Sequence, residues 1–496
     1  MNDDLIKKFN FPLAGEAEAF WESQKLLGKI DSRFNLYFRS IIYNVSFADT
    51  EPLAEKSGFI NNSFLNKKIT GLYQKLLTLI QKNTKIECDI LINPSFCTFN
   101  RITEKKLVLN LIESCTSLGL IVCVVCNNEI KQILSGELDD LVTSKNVMLI
   151  NPISEMTWFQ KKIVRVLSKI IAKADFREVT RILAKNRINI NRQVYSSIES
   201  AIYNKFSWLH IQKNLNFKFV ILRCEWDDFS VSITESSKLK EIPVICFQHG
   251  VISHTLDVPV RVDRFLTFGE QSAKLMTELN HQFAQATNQS NLCSEFYPVG
   301  SITDSIKLQI NNFSRRSVLI IDQSVDRACK FNGLSQLIEE TERLIKALLL
   351  CDPVEKIVIR PHPQSKFFEF WEWCSINYPH KFDISHPRLK LEVDIQRNSI
   401  AVGLFSGALA VAAASGLPSY FLTLQDAYFT PDLNCFKNDF ALPFDRLIHK
   451  LQKLTTDEAF YLEERRRCLE TSSIYYAKNQ QVSIDKNFIK EYILNM

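Results

Sequence analysis

A chain of 496 residues is too long for a single ordinary core, and two or three domains are expected. A composition 46% hydrophobic and 23% charged excludes a disordered or fibrous chain. The net charge of +5 is too mild for its length to imply a nucleic-acid partner.

The chain opens MNDDLIKKFNF, which lacks the apolar core of a signal peptide, and it holds no run of 18 apolar residues. The 13 cysteines are odd in number and mostly sit inside apolar runs. Both facts lead to an expectation of a reducing cytoplasm with thiols acting as small hydrophobes. Cys123 and Cys126 form a CxxC, but inside LIVCVVC. A strand would send them to opposite faces, which argues against a redox or zinc site.

Residues 1–85 read as mainly helical. Short apolar runs then alternate with helical patterns: CDILIN (88–93), LGLIVCVVC (118–126), NVMLI (146–150), KFVILRC (218–224), IPVICFQ (242–248) and RFLTFG (264–269). Continuous apolar strands separated by helices predict a parallel sheet covered on both faces. Between them, 157–192 carries ten Lys/Arg against two acids, with Trp158, Ile163, Val166, Leu167, Ile170 and Ile171 at helical spacing. One or two basic amphipathic helices are expected there. They fit a packing helix with a solvated outer face, an anionic membrane surface, or the steering of an anionic acceptor.

The strand grammar restarts after the polar segment 301–317 with VLIID (318–322), EKIVIRP (355–361), a weak KFDIS (381–385), SIAVGLF (399–405) and PSYFL (418–422). The tail from about 440 is helical and charged. The expected class is therefore α/β: two facing doubly wound Rossmann-like domains with extra N-terminal helices. The expected division is an acceptor-side domain over 1–310 with a helical extension, a nucleotide-sugar domain over 311–440, and helices over 441–496 that pack back across both.

Ligands of such sheets sit beyond the carboxyl ends of the strands. Four loops qualify. Gln248-His249-Gly250 follows IPVICF, with His254 close behind, so two of the eight histidines fall within six positions. An imidazole there suits a general base, and Gly250 would permit an unusual backbone or a close approach. Glu225, in RCEWDDFS, is the rival base; Asp227 and Asp228 read as caps for the next helix. In the second half, prolines on both sides of His362 hold that imidazole rigidly, with Arg360 and Pro363 beside it. Ser406 and Gly407 open the small-residue helix of LFSGALAVAAASGLP, where free N–H groups and the helix dipole favour an anion. Gln323 and Ser324 follow the first strand of that half and are candidates for donor contact. Each loop also has a structural reading: a turn histidine, an N-cap serine, a bonded strand-end side chain.

Taken together, QHG (248–250), YPVGS (297–301), RPHP (360–363) and LFSGALAVAAASGLP (404–418) resemble bacterial GT-B glycosyltransferases of capsule and surface-polysaccharide synthesis. That group includes the CMP-sialic acid and CMP-Kdo transferases, which carry an HP motif and a later serine motif, and the teichoic-acid glycerophosphate transferases. The resemblance spans roughly 218–425 and rests on motifs. It implies that His362 and Ser406 bind the donor phosphate and nucleotide, and that His249 or a nearby acid deprotonates the acceptor. The glutamate with which many relatives grip a ribose is missing after Ser406, which favours a CMP-linked donor over a UDP-sugar. No DxD metal motif is evident, so no metal or cofactor is expected. The implied partners are a nucleotide sugar and a glycan or lipid-linked glycan acceptor. The implied location is cytoplasmic, peripheral on the inner face of the membrane. A CDP-alditol or UDP-sugar donor, a non-catalytic binding component of polysaccharide export, and a sugar-nucleotide epimerase are the alternatives.

Overall fold

The computed structural model describes residues 45–47 and most of 85–495. Of the segment expected to be helical over 1–85, nearly all lies outside the described residues. The piece Val45–Phe47 is a strand, paired antiparallel with Ile188–Ile190.

Each of the eleven apolar runs forms a strand. The first sheet consists of β1 (Ile90–Asn93), β2 (Val122–Val125), β3 (Val147–Ile150), β4 (Phe219–Leu222), β5 (Val244–Phe247), β6 (Arg264–Thr267) and β7 (Glu295–Pro298). All its pairings are parallel, in the order β7-β6-β5-β4-β1-β2-β3. The second sheet consists of β8 (Ser317–Ile321), β9 (Lys356–Arg360), β10 (Phe382–Ile384), β11 (Ile400–Gly403), β12 (Ser419–Leu422) and β13 (Ala441–Leu442). It is also parallel, in the order β10-β9-β8-β11-β12-β13. Both sheets are thus doubly wound. Their strand order reverses between the first and fourth strands, β1/β4 in one and β8/β11 in the other, where such folds open a ligand crevice.

Strands buried on both faces need apolar residues at every position, and these have them: the runs VCVV and IAVG are wholly buried. Cys123 and Cys126 join the cores on opposite faces of the first sheet, as the period of a strand demands. β7 and β13 are edge strands with weaker patterns and stood outside the eleven runs.

The helices that matter to the site are α1 (Ile102–Thr116), α2 (Trp158–Ala184), α3 (Val194–Gln212), α4 (Asp228–Lys238), α5 (Glu270–Thr287), α6 (Gly407–Ala414) and α7 (Glu458–Tyr475). The basic segment over 157–192 is one long helix, α2, followed by the strand Ile188–Ile190. No described helix is long and apolar enough to cross a membrane.

α6 ends as its SGLP sequence predicts. Gly416 has φ +86°; its N–H donates to Ala413 O at 2.9 Å, and the Leu417 N–H to Ala412 O at 3.0 Å. This double bond to the last carbonyls needs a left-handed residue, which glycine adopts without a Cβ clash.

The tail crosses between the sheets. Gly269, before α5, sits so close to α7 that a Cβ would lie 2.3 Å from the Tyr475 carbonyl oxygen. The Ala477 N–H donates to Phe268 O at 2.9 Å and the Val482 N–H to Ser301 O at 2.7 Å. Beyond, Ile484, Phe488, Ile489 and Ile493 enter the core of the first sheet, and Phe488 stacks on Phe247 of β5 with centroids 6.3 Å apart.

Candidate functional site

His249 follows β5, the strand beside β4. Its imidazole is 34% exposed, and Nδ1 lies 3.4 Å from Oε1 of Glu104. Glu104 reaches it from the first turn of α1, which follows β1, the strand on the far side of β4. Behind Glu104 lies Arg223, buried at the end of β4. Its Nε donates to Oε2 at 2.5 Å and its Nη2 to Oε1 at 2.7 Å, while Nη1 donates to the Gln248 carbonyl at 3.0 Å. The guanidinium fork matches the carboxylate and fixes the backbone that carries His249. Burial alone would raise the Glu104 pKa. The bond to His249 and the Arg223 charge outweigh it and hold the group at about 2. Glu104 is therefore anionic at neutral pH. It holds Nδ1 inward, with the imidazole still partly exposed on its other side. Neither Glu104 nor Arg223 was picked out from the sequence. A glutamate in a helix's first turn is common for dipole reasons alone, so it carries no local signal.

The neighbours of His249 divide. Gln248 was expected at the ligand-facing surface. It is buried: Oε1 accepts from the Phe268 N–H at 2.7 Å, and Nε2 donates to the Gly250 carbonyl at 2.8 Å. Gly250 is not in a left-handed conformation, so no unusual backbone requires a glycine there, and a Cβ would meet no protein atom within 4 Å. Glu225 is buried, where its charge acts on Arg261 and Cys246. Asp227 caps α4, accepting from the Ser230 N–H at 3.0 Å. Asp228 is pushed up to about 7 by burial, against a hydrogen bond from Asn204 and with the charge of Asp227 adding to the rise. His254 lies outside the described residues.

On the second sheet, Arg360 and Gly403 are both in register with Ile321 of β8. The loops carrying His362 and Ser406 therefore leave the same carboxyl edge, on either side of β8 and roughly 10 Å apart at their roots. Asp322, at the end of β8, ties down the first of them: its Oδ2 accepts from the His362 N–H at 3.4 Å and from Trp371 Nε1 at 3.2 Å. Ser406 caps α6, its Oγ accepting from the Ala408 N–H at 3.3 Å, with Gly407 as first helical residue. The capping and anion-binding readings of Ser406 are compatible, since the hydroxyl proton is not used by the cap. Arg360 does not stand ready for a phosphate. Its Nη1 donates to Asp394 at 2.5 Å and its Nη2 to the Leu389 carbonyl at 3.0 Å. Asp394 is a buried carboxylate that needs this counter-charge. Pro363, Gln323 and Ser324 lie outside the described residues.

Asp432, in the turn Pro431–Phe436 after β12, joins the two edges. Wholly buried, it accepts from Ser272 Oγ at 2.5 Å, from the Ile252 N–H at 2.9 Å and from Gln248 Nε2 at 3.4 Å. The loop bearing His249 is thus fastened to the second half of the chain.

No family model matches the chain, and no curated protein matches it by sequence. Solved structures do. Medicago truncatula UGT71G1 complexed with UDP-glucose aligns at 13% identity over 83% of this chain and 99% of its own, with a TM-score of 0.40. Acinetobacter baumannii MurG aligns at 11% identity over 83% of this chain and 100% of its own, TM-score 0.40. A putative UDP-N-acetylglucosamine 2-epimerase from Listeria monocytogenes aligns at 10% identity over 80% and 94%, TM-score 0.39. At these values function has to be read from this chain's own residues.

Proposed function

We propose that the protein is a glycosyltransferase of the GT-B type. It would transfer an acidic sugar, Kdo or sialic-acid-like, from a CMP-activated donor to a surface glycan acceptor, working in the cytoplasm at the inner face of the membrane. In this reading 1–310 takes the acceptor, 311–440 the nucleotide sugar, and 441–496 binds the two together. The observation that carries it is the Arg223–Glu104–His249 relay at one carboxyl edge, fastened through Asp432 to a half whose own edge carries His362 and Ser406.

The chemistry follows from that arrangement. His249 Nε2 takes the proton of an acceptor hydroxyl while the acceptor oxygen bonds to the anomeric carbon. The bond from that carbon to the phosphate oxygen breaks, and CMP leaves with one more negative charge. The Glu104 carboxylate balances the imidazolium. The α6 N-terminus, the Ser406 hydroxyl and His362 receive the charge on the phosphate. The choice of CMP rests on the lack of an acid in GALAVAAASG, where a ribose-gripping carboxylate would sit.

Thermal-shift titration with CMP, CDP and UDP tests the donor, because a ligand bound only by the folded state raises Tm. Stabilisation by UDP alone would replace the donor reading with a UDP-sugar, and by CDP alone with a CDP-alditol. CMP release with a Kdo or sialic-acid donor tests the reaction. His249→Ala should lower kcat by about 10²- to 10⁴-fold. His362→Ala should weaken nucleotide binding. Nucleotide binding with no turnover on any donor would make the protein a binding component instead.

A further inference from the structure

The outer face of α2 takes no part in the relay or the donor edge. With about 100° between successive residues, Val164, Ile171, Asp175 and Val179 fall on one side of the helix, and all are buried. The opposite side carries large apolar residues in solvent: Trp158 is 69% exposed, Phe159 60%, Val166 57% and Ile170 46%. Phe159, Val166 and Ile170 line up as one ridge at helical spacing. Beside it runs a second ridge of exposed cations, Lys162, Arg165, Lys169 and Lys173. Lys162 Nζ sits 3.8 Å above the Trp158 ring. No acid lies on this exposed face; Asp175 is buried and Glu178 half-buried on the other side.

A solvated packing helix has no reason to expose three large apolar side chains in register with a fourth, Trp158, beside them, and a polyanion-binding helix would use the cations without the apolar ridge. An apolar strip flanked by cations is the form that lies in the interface of an anionic bilayer. α2 also begins just beyond the carboxyl end of β3, on the same edge of the sheet as His249. We propose that this face of α2 is a docking surface for an anionic lipid bilayer. It brings the acceptor-side edge to a lipid-carried substrate, and in that it deepens the functional reading. The binding itself needs no turnover, so either can fail without the other.

The test is co-sedimentation of the full chain with phosphatidylglycerol/phosphatidylcholine vesicles and with pure phosphatidylcholine vesicles. Binding should require the anionic lipid and be released by salt of about 1 M, where screening falls to a few ångströms. The Lys162→Gln/Lys169→Gln/Lys173→Gln variant should lose about a hundredfold in partitioning. Trp158→Ser/Phe159→Ser should lose about tenfold, together with quenching of tryptophan fluorescence by brominated lipid. These side chains are exposed, so both variants should melt at the wild-type temperature. No vesicle binding, equal binding to neutral vesicles, undiminished binding by the triple variant, or binding to heparin but not to vesicles would each overturn the proposal.

Discussion

His249 illustrates how one side chain becomes chemically defined by groups far away in sequence. Alone it is a strand-end imidazole. Glu104 and Arg223 give it an orientation and a permanent counter-charge. The depressed Glu104 pKa has a stability consequence whose sign is set. A carboxylate held below its ordinary value contributes stability that is complete above about pH 4.5 and is lost as pH falls towards 2. The contribution is about 3 kcal/mol. Glu104→Gln should lose that stability at pH 7, with Arg223 left buried against a neutral partner. Urea unfolding across pH 7 to 3 checks this: the difference between wild type and variant should narrow on acidification. A constant difference would mean that the carboxylate charge is not what Arg223 and His249 hold.

At the scale of elements, α6 is closed at both ends by its own flanking residues. Its amino end is closed by Ser406, and its carboxyl end by the left-handed Gly416. Gly416→Ala should destabilise the protein by about 1 kcal/mol, because a Cβ at positive φ is strained. The Arg465 side chain, 3.3 Å from such a Cβ, would have to move as well. Nucleotide binding should survive this change at the far end of the helix. Thermal melts with and without CMP separate the two effects. The elements also explain why Arg360 is engaged elsewhere. It lies at the end of β9 beside Asp394, a carboxylate buried in the short helix Leu391–Arg397, and a buried charge takes the nearest guanidinium.

Among the contacts that hold the whole molecule together, two of different kinds can be tested separately. One is polar: Asp432 accepts three hydrogen bonds from the first half. Asp432→Ala would take the acceptor from the buried Ile252 N–H and Ser272 hydroxyl and one of its bonds from the Gln248 amide, at a cost of about 3 kcal/mol. Calorimetry should show a lower Tm, and a second transition if the halves then unfold separately. The other tie is apolar. Phe488→Ala empties a space against Phe247 and should cost about 3–5 kcal/mol. Trypsin cleavage at Lys486 and Lys490 should then accelerate before global unfolding. Unchanged cleavage would mean that the tail is anchored by its other contacts.

The sequence by itself determined the local part of this protein. The apolar runs specify parallel strands because both faces of each strand need covering, and ASGLP specifies where α6 stops because only a left-handed residue closes it. The carboxyl-edge loops follow from strand polarity. What the chain order could not convey is which distant groups meet. Glu104 is 145 positions from His249 and Asp432 is 184 from Gln248, and nothing local in ITEKK or PDLNC reveals a partner. Their roles, like the engagement of Arg360 and the burial of Gln248, were decided by tertiary structure. Buried charges and amides must find complementary groups wherever the packed chain brings them, and packing is a property of the whole fold.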